Sequence, residues 1–142
     1  MIGGNGNDLI EGGSGKDHIE GGSGKDHIEG GPGWDMLYGG DGNDRLEGGN
    51  NNDILKGGNG MDRLLGHDGD DELFGGNGGD VMSGGGGKDK MHGDDVLHGG
   101  KDNDLLSGLA GNDTLDGGTG TFDDCVGGDG NNTYTDCENE DL

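Results

Sequence analysis

The chain has 142 residues, of which 41 are Gly, 31 are acidic and only 8 are basic, giving a formal net charge of −23. Leu, Ile, Val and Phe together number 23, too little apolar surface to offset the ordering entropy of a glycine-rich chain, so an ordinary hydrophobic globule is excluded and cations are expected to hold the fold. The charge also argues against nucleic acid as a partner, since its phosphates would be repelled, and no apolar run is long enough to span a membrane.

A nine-residue frame, Gly-Gly-x-Gly-x-Asp-x-apolar-x, begins at Gly3 and continues to Thr135. It is most regular at 12–29, which reads GGSGKDHIE twice. A fixed period of this kind decides the architecture before any local propensity does. Repeats 3–11, 12–20, 21–29, 30–38 and 39–47 keep all three glycines and the aspartate. Repeat 48–56 has Asn51 at the third glycine, and repeat 66–74 has His67 at the second; 57–65, 75–83 and 84–92 are regular. At 93–98 the frame shrinks to six residues, as if a leading Gly-Gly-x were deleted. Beyond it the repeats decay. Asp102 and Leu109 replace glycines in 99–107 and 108–116, repeat 117–126 carries one extra residue, and Asn132 replaces the aspartate of 127–135. The expected organisation is one domain over 1–142: regular repeats at 3–92, a truncated repeat at 93–98, degenerate repeats at 99–135 acting as a terminal cap, and a polar tail at 136–142.

The apolar column runs Ile10, Ile19, Ile28, Leu37, Leu46, Leu55, Leu64, Leu73, Met82, Met91, Leu97, Leu106, Leu115, Cys125, Tyr134. One apolar residue in nine fits neither a helical stripe nor a long alternating strand. It predicts a three-residue strand with its middle side chain inward, after a six-residue turn in which glycines permit positive φ. Two strands and two turns close a coil of 18 residues, and coils stack as parallel strands about 4.8 Å apart. The predicted fold is all-β, a parallel β-roll of roughly seven coils. On this period Asp8, Asp26, Asp44, Asp62 and Asp80 form one column, and Asp17, Asp35, Asp53, Asp71 and Asp89 the other. Carboxylates one coil apart repel without a cation. Oxygen ligands in flexible turns suit Ca²⁺ better than Mg²⁺, which demands strict octahedral geometry.

The frame resembles the RTX nonapeptide, the haemolysin-type calcium-binding repeat of secreted bacterial proteins, over 133 of the 142 residues. The resemblance implies that each ion sits between a turn and the turn one coil later. The earlier turn gives carbonyls from its second and fourth positions and its Asp; the later one gives carbonyls from its first and third positions and its own Asp. One such site uses Gly4, Gly6 and Asp8 with Gly21, Ser23 and Asp26. Its counterpart opposite uses Gly13, Gly15 and Asp17 with Gly30, Pro32 and Asp35. Inner aspartates then bridge two ions, and about eight Ca²⁺ fit before the six-residue repeat. Asp95, Asp104, Asp113 and Asp123 are weaker candidates, because their repeats are altered. The family also implies an extracellular protein. Met1-Ile2 leads straight into the first repeat with no leader pattern, so the expectation is a piece of a longer chain or export without a cleaved leader.

No EF-hand spacing, HExxH, nucleophile elbow or phosphate loop occurs, and no catalytic residue is expected. The Gly-x-Gly pieces are products of the repeat. His18 and His27 fall on opposite sides of the roll and read as surface histidines. Cys125 and Cys137 read as a disulfide in an extracellular chain, the alternative being two free thiols. Met36, Tyr38, Ile54 and Phe74 point outward on one face near Trp34, and either form a docking face for a neighbouring domain or cell-surface partner or are scattered surface apolars. Besides calcium binding, two roles stay open: a secretion and folding module of a larger secreted enzyme or toxin, and a calcium-stiffened adhesion or surface-layer module.

Overall fold

Through the regular repeats, Ile10 to Met91, each inward apolar side chain lies nine residues after the last one on the opposite wall, and this spacing winds the backbone into a flat solenoid. A computed structural model describes residues 1–93, 95–109 and 112–140. In chain order the strands are β1 (Ile2–Asn5), β2 (Leu9–Glu11), β3 (His18–Ser23), β4 (His27–Pro32), β5 (Met36–Asp41), β6 (Arg45–Asn50), β7 (Ile54–Asn59), β8 (Arg63–Asp68) and β9 (Glu72–Asn77). They continue as β10 (Asp80–Gly86), β11 (Lys90–His92), β12 (Asp95–Lys101), β13 (Leu105–Ser107), β14 (Thr114–Thr119), β15 (Asp124–Val126), β16 (Thr133–Thr135) and β17 (Asn139–Glu140). Odd strands make one nine-stranded parallel sheet and even strands an eight-stranded one. The molecule is a parallel β-roll of about seven coils with about 18 residues in each. Among the described residues no helix is long and apolar enough to cross a membrane.

The core is the predicted column. Ile19, Ile28, Leu37, Leu46, Leu55, Leu64, Leu73, Met82, Met91, Leu97, Leu106, Leu115 and Cys125 have no exposed surface, while Ile10 and Tyr134 close its two ends partly buried. It is one side chain thick on each wall, so little of the stability of a normal core is available to it.

Strand length departs from the three residues expected. The regular strands have six, because pairing runs on past the apolar triplet into Gly-Gly-x: Gly22 lies opposite Gly40 and Ser23 opposite Asp41, as Gly40 does opposite Gly58. Glycine carries no side chain to signal a strand, yet its backbone continues the ladder, and each turn shrinks to three residues. The second glycine must still bend. Gly31 sits at φ 103°, and a Cβ there would strike the Gly13 carbonyl one coil earlier. Where the sequence lacks the glycine the backbone bends anyway, at Asn51 (φ 76°), His67 (φ 80°), Asp102 (φ 73°) and Leu109 (φ 67°).

The two irregular lengths are absorbed locally. Across the truncated repeat the register becomes Met82 to Leu97 and Met91 to Leu106, so the apolar column survives and β11 keeps only the apolar triplet. The extra residue of 117–126 falls in the turn between β14 and β15, and Leu106 still meets Cys125. The tail adds a short strand, with β17 paired to β15.

Candidate metal centre

Each turn presents its aspartate to the interior at the end of a strand. Asp26, Asp35, Asp44, Asp53, Asp62, Asp71, Asp80, Asp89, Asp104, Asp113 and Asp123 are all at most 3% exposed. Burying carboxylates in rows is unfavourable unless each oxygen is matched. Half of the demand is met within the chain. The amide of each aspartate donates to Oδ1 of the aspartate one coil later: Asp8 to Asp26, Asp26 to Asp44 and Asp44 to Asp62 on one side, Asp17 to Asp35, Asp35 to Asp53 and Asp53 to Asp71 on the other, at 2.7–2.8 Å. The other half is not. Oδ2 of Asp8, Asp17, Asp26, Asp35, Asp44, Asp53, Asp62, Asp71, Asp89 and Asp104 is buried with no hydrogen-bond partner.

These oxygens face carbonyls. A Cβ added to Gly3 would stand 2.6 Å from Asp8 Oδ2 and 2.7 Å from the Gly21 carbonyl; one on Gly12 would stand 2.7 Å from the Gly30 carbonyl and 2.9 Å from Asp17 Oδ2. The first glycine of every repeat from Gly3 to Gly66, and Gly99 beyond the truncated repeat, thus leaves room where a carboxylate Oδ2 and a carbonyl of the next coil converge. Of the remaining predicted donors, the carbonyls of Gly6, Gly13 and Gly15 face Gly24, Gly31 and Gly33 one coil later. The Gly6 amide donates to the Ser23 carbonyl at 2.7 Å, Gly13 to Gly30 at 3.0 Å and Gly15 to Pro32 at 2.8 Å, while the carbonyl of Gly4 faces Gly22. Each of these carbonyls keeps a second lone pair. The donor set is entirely hard oxygen on glycine-rich backbone, which fits Ca²⁺.

Burial, with repulsion from neighbouring carboxylates, pushes Asp53 and Asp89 up to about 7 and Asp62, Asp71 and Asp104 up to about 6, against the lowering effect of the amide hydrogen bonds. Asp35 and Asp44 are raised for the same first cause. The apo turns therefore hold their charge reluctantly, as expected of groups arranged for a cation.

The columns run past the truncated repeat. Asp89 donates to Asp104 Oδ1 at 2.8 Å and Asp104 to Asp123 Oδ1 at 2.9 Å, and the amide of Asp123 donates to the Glu138 carboxylate. On the other side Asp113 donates to Asn132 Oδ1 at 3.0 Å, so the amide replaces the missing aspartate in the ladder though not its charge. Asp95 opens β12 opposite Asp80 in register, its side chain lying outside what the structure describes. Among the described residues, Glu138 is the one column member the nonapeptide frame does not pick out. Its signal was present in the spacing: it follows Asp123 by 15 residues, as Asp104 follows Asp89 across the truncated repeat.

The histidines lie outside the turns' interior. His18 stacks on Tyr38 and His92 on Phe74, each with ring centroids 5.3 Å apart. His27 and His67 hydrogen-bond opposite oxygens of Glu47, which Arg45 also holds at 2.6 Å. Burial pushes Glu47 up, but these three donors outweigh it and hold the carboxyl below its ordinary value. Cys125 and Cys137 form a disulfide with Cα atoms 5.9 Å apart.

The sequence profile of the RTX calcium-binding nonapeptide repeat matches four times, at residues 2–37, 29–60, 56–91 and 93–121. No individual curated protein matches. Repeat, coil and orphaned carboxylates agree with that profile, and the chain belongs to the RTX calcium-binding repeat family.

Proposed function

We propose that the whole chain acts as a single extracellular domain that folds as it binds calcium, about eight ions occupying the regular coils. The observation that carries this reading is the row of buried carboxylates at Asp26, Asp35, Asp44, Asp53, Asp62, Asp71, Asp89 and Asp104, in which Oδ1 accepts a backbone amide of the preceding coil and Oδ2 is left without a hydrogen. Calcium would be held by the two ligand sets named above and their repeats up to Asp89, and it supplies positive charge between coils that otherwise repel. The chain's own part is to order the carbonyls, exclude water with the apolar column and fix the spacing of the carboxylates. The roll itself carries no catalytic role. Because the core is so thin, binding free energy and folding free energy are the same quantity.

Circular dichroism in chelator, followed by calcium titration, tests this. The expected result is a largely unordered chain that gains β-structure cooperatively, with a midpoint of roughly 10⁻⁴ to 10⁻³ M, the range of extracellular calcium modules. The same β-spectrum with and without calcium overturns it.

A further inference from the structure

Where the odd-numbered sheet meets its turns there is a groove of about 730 Å³ on the outer face. Trp34, Met36 and Ile54 form its apolar middle; Lys16 stands at one end and Lys88 and Lys90 at the other. Lys16 and Lys88 are four coils apart, about 19 Å. Lys16 Nζ lies 4.6 Å from the Trp34 ring centroid, and Trp34 is 56% exposed. Among the described residues none of the three lysines has an ion-pair partner, although the chain carries 31 acidic side chains. An exposed tryptophan beside two aliphatics marks a contact surface. Unpaired cations at both its ends specify charge.

We propose that this groove binds an extended acidic peptide segment of a partner protein, about six residues long, with carboxylates at both ends and an apolar side chain between them. Six extended residues span about 20 Å, the distance between the lysines. Aliphatic Met36 and Ile54 suit a peptide side chain better than the flat face of a sugar. Asp70 and Glu72, one coil before Lys88 and Lys90, also line the groove and repel acids from its interior, so they set the register. The inference rests on the calcium reading: Asp17, Asp35, Asp53 and Asp71 line the same groove, and only once neutralised do they admit an acidic ligand. Binding is therefore gated by calcium.

The probe is a fluorescent hexapeptide with a Glu pair at each end and Leu-Phe in the centre, titrated by anisotropy against the full chain in millimolar calcium and in chelator. A Gln-for-Glu peptide and a sulfated oligosaccharide are run alongside. Expected are calcium-dependent binding of the acidic peptide, at least about tenfold weaker binding of the Gln peptide, and a similar loss in Trp34→Ala and in Lys88→Glu with Lys90→Glu. If the charge reversal disturbs folding in calcium, Lys88→Gln with Lys90→Gln replaces it. A chain that folds with calcium but binds both peptides alike, or prefers the oligosaccharide, overturns the proposal and leaves the calcium reading standing. A chain whose circular dichroism ignores calcium overturns that reading, and equal peptide binding in chelator overturns the gating.

Discussion

At the residue scale the aspartate does two separable jobs. Its Oδ1 accepts an amide from the coil before, and its Oδ2 carries charge into the seam. Asn132 shows that an amide can do the first without the second. Asp44→Asn should therefore keep the Asp26 hydrogen bond yet lose an ionic ligand: the calcium midpoint should rise about tenfold, about 1.4 kcal/mol, while the metal-free chain becomes easier to fold because a repelling charge has gone. Calcium titration followed by circular dichroism measures both, and a change in the same direction for the two states would refute the division. Acid should act like the mutation. The folded carboxylates of Asp53 and Asp89 sit at about 7 and those of Asp62, Asp71 and Asp104 at about 6, against 3.8 for the ordinary group. The native state therefore binds more protons than the unfolded one between 3.8 and about 7. The stability of the metal-free roll is full below that window and is lost as pH rises through it. Chelated protein should show more β-structure at pH 5 than at pH 7.5; an unchanged or opposite trend would contradict the burial of these groups.

At the level of the repeat, the frame made most of the architecture readable, because a column of one apolar residue and one aspartate in every nine leaves a single way to stack. Both sheets, the register, the two aspartate columns and the survival of the core across 93–98 follow from counting. What counting did not give was the extent of the strands. Gly-Gly-x shows no alternation of side chains, so its pairing, as between Gly22 and Gly40, leaves no mark in the sequence. Nor did it show what the histidines touch, since the Glu47 cluster joins residues 20 apart across three coils. The degenerate glycine positions are a third case. They keep the bend that glycine would have made, and at Leu109 this costs backbone strain of about 1–2 kcal/mol with a side chain that is 54% exposed. Leu109→Gly should accordingly stabilise the calcium-loaded roll by about 1 kcal/mol, read as a higher urea midpoint with unchanged slope. A loss of stability would mean that the leucine packs more than its exposure indicates.

For the whole molecule the question is what holds the far end of a solenoid whose ligands thin out. The regular coils have orphaned carboxylates to tie together with metal, but the last coil ends on Asn132 and Glu138 instead of paired aspartates. There Cys125, the last fully buried member of the core column, is joined to Cys137, and Cys137 and Tyr134 pack against that core. β17 pairs with β15 directly beyond the bridge. The crosslink closes a loop with a sequence separation of 12, and loops of that size are typically stabilised by about 3 kcal/mol, in a model-dependent way, through the unfolded state. On the proposed calcium reading, the covalent tie therefore serves the end of the molecule where the carboxylate pairs stop. Reduction at saturating calcium should loosen residues after about Gly117 and leave the coils up to Asp89 protected; chelation with the disulfide intact should do the reverse, releasing the regular coils while the terminal loop stays closed. Amide hydrogen exchange resolved by peptide separates the two ends under the four combinations of calcium and reductant. Uniform loss of protection on reduction would show that the roll melts as one unit and that the bridge serves all of it. No change at the C-terminal coils would show that their backbone pairing suffices without the bridge.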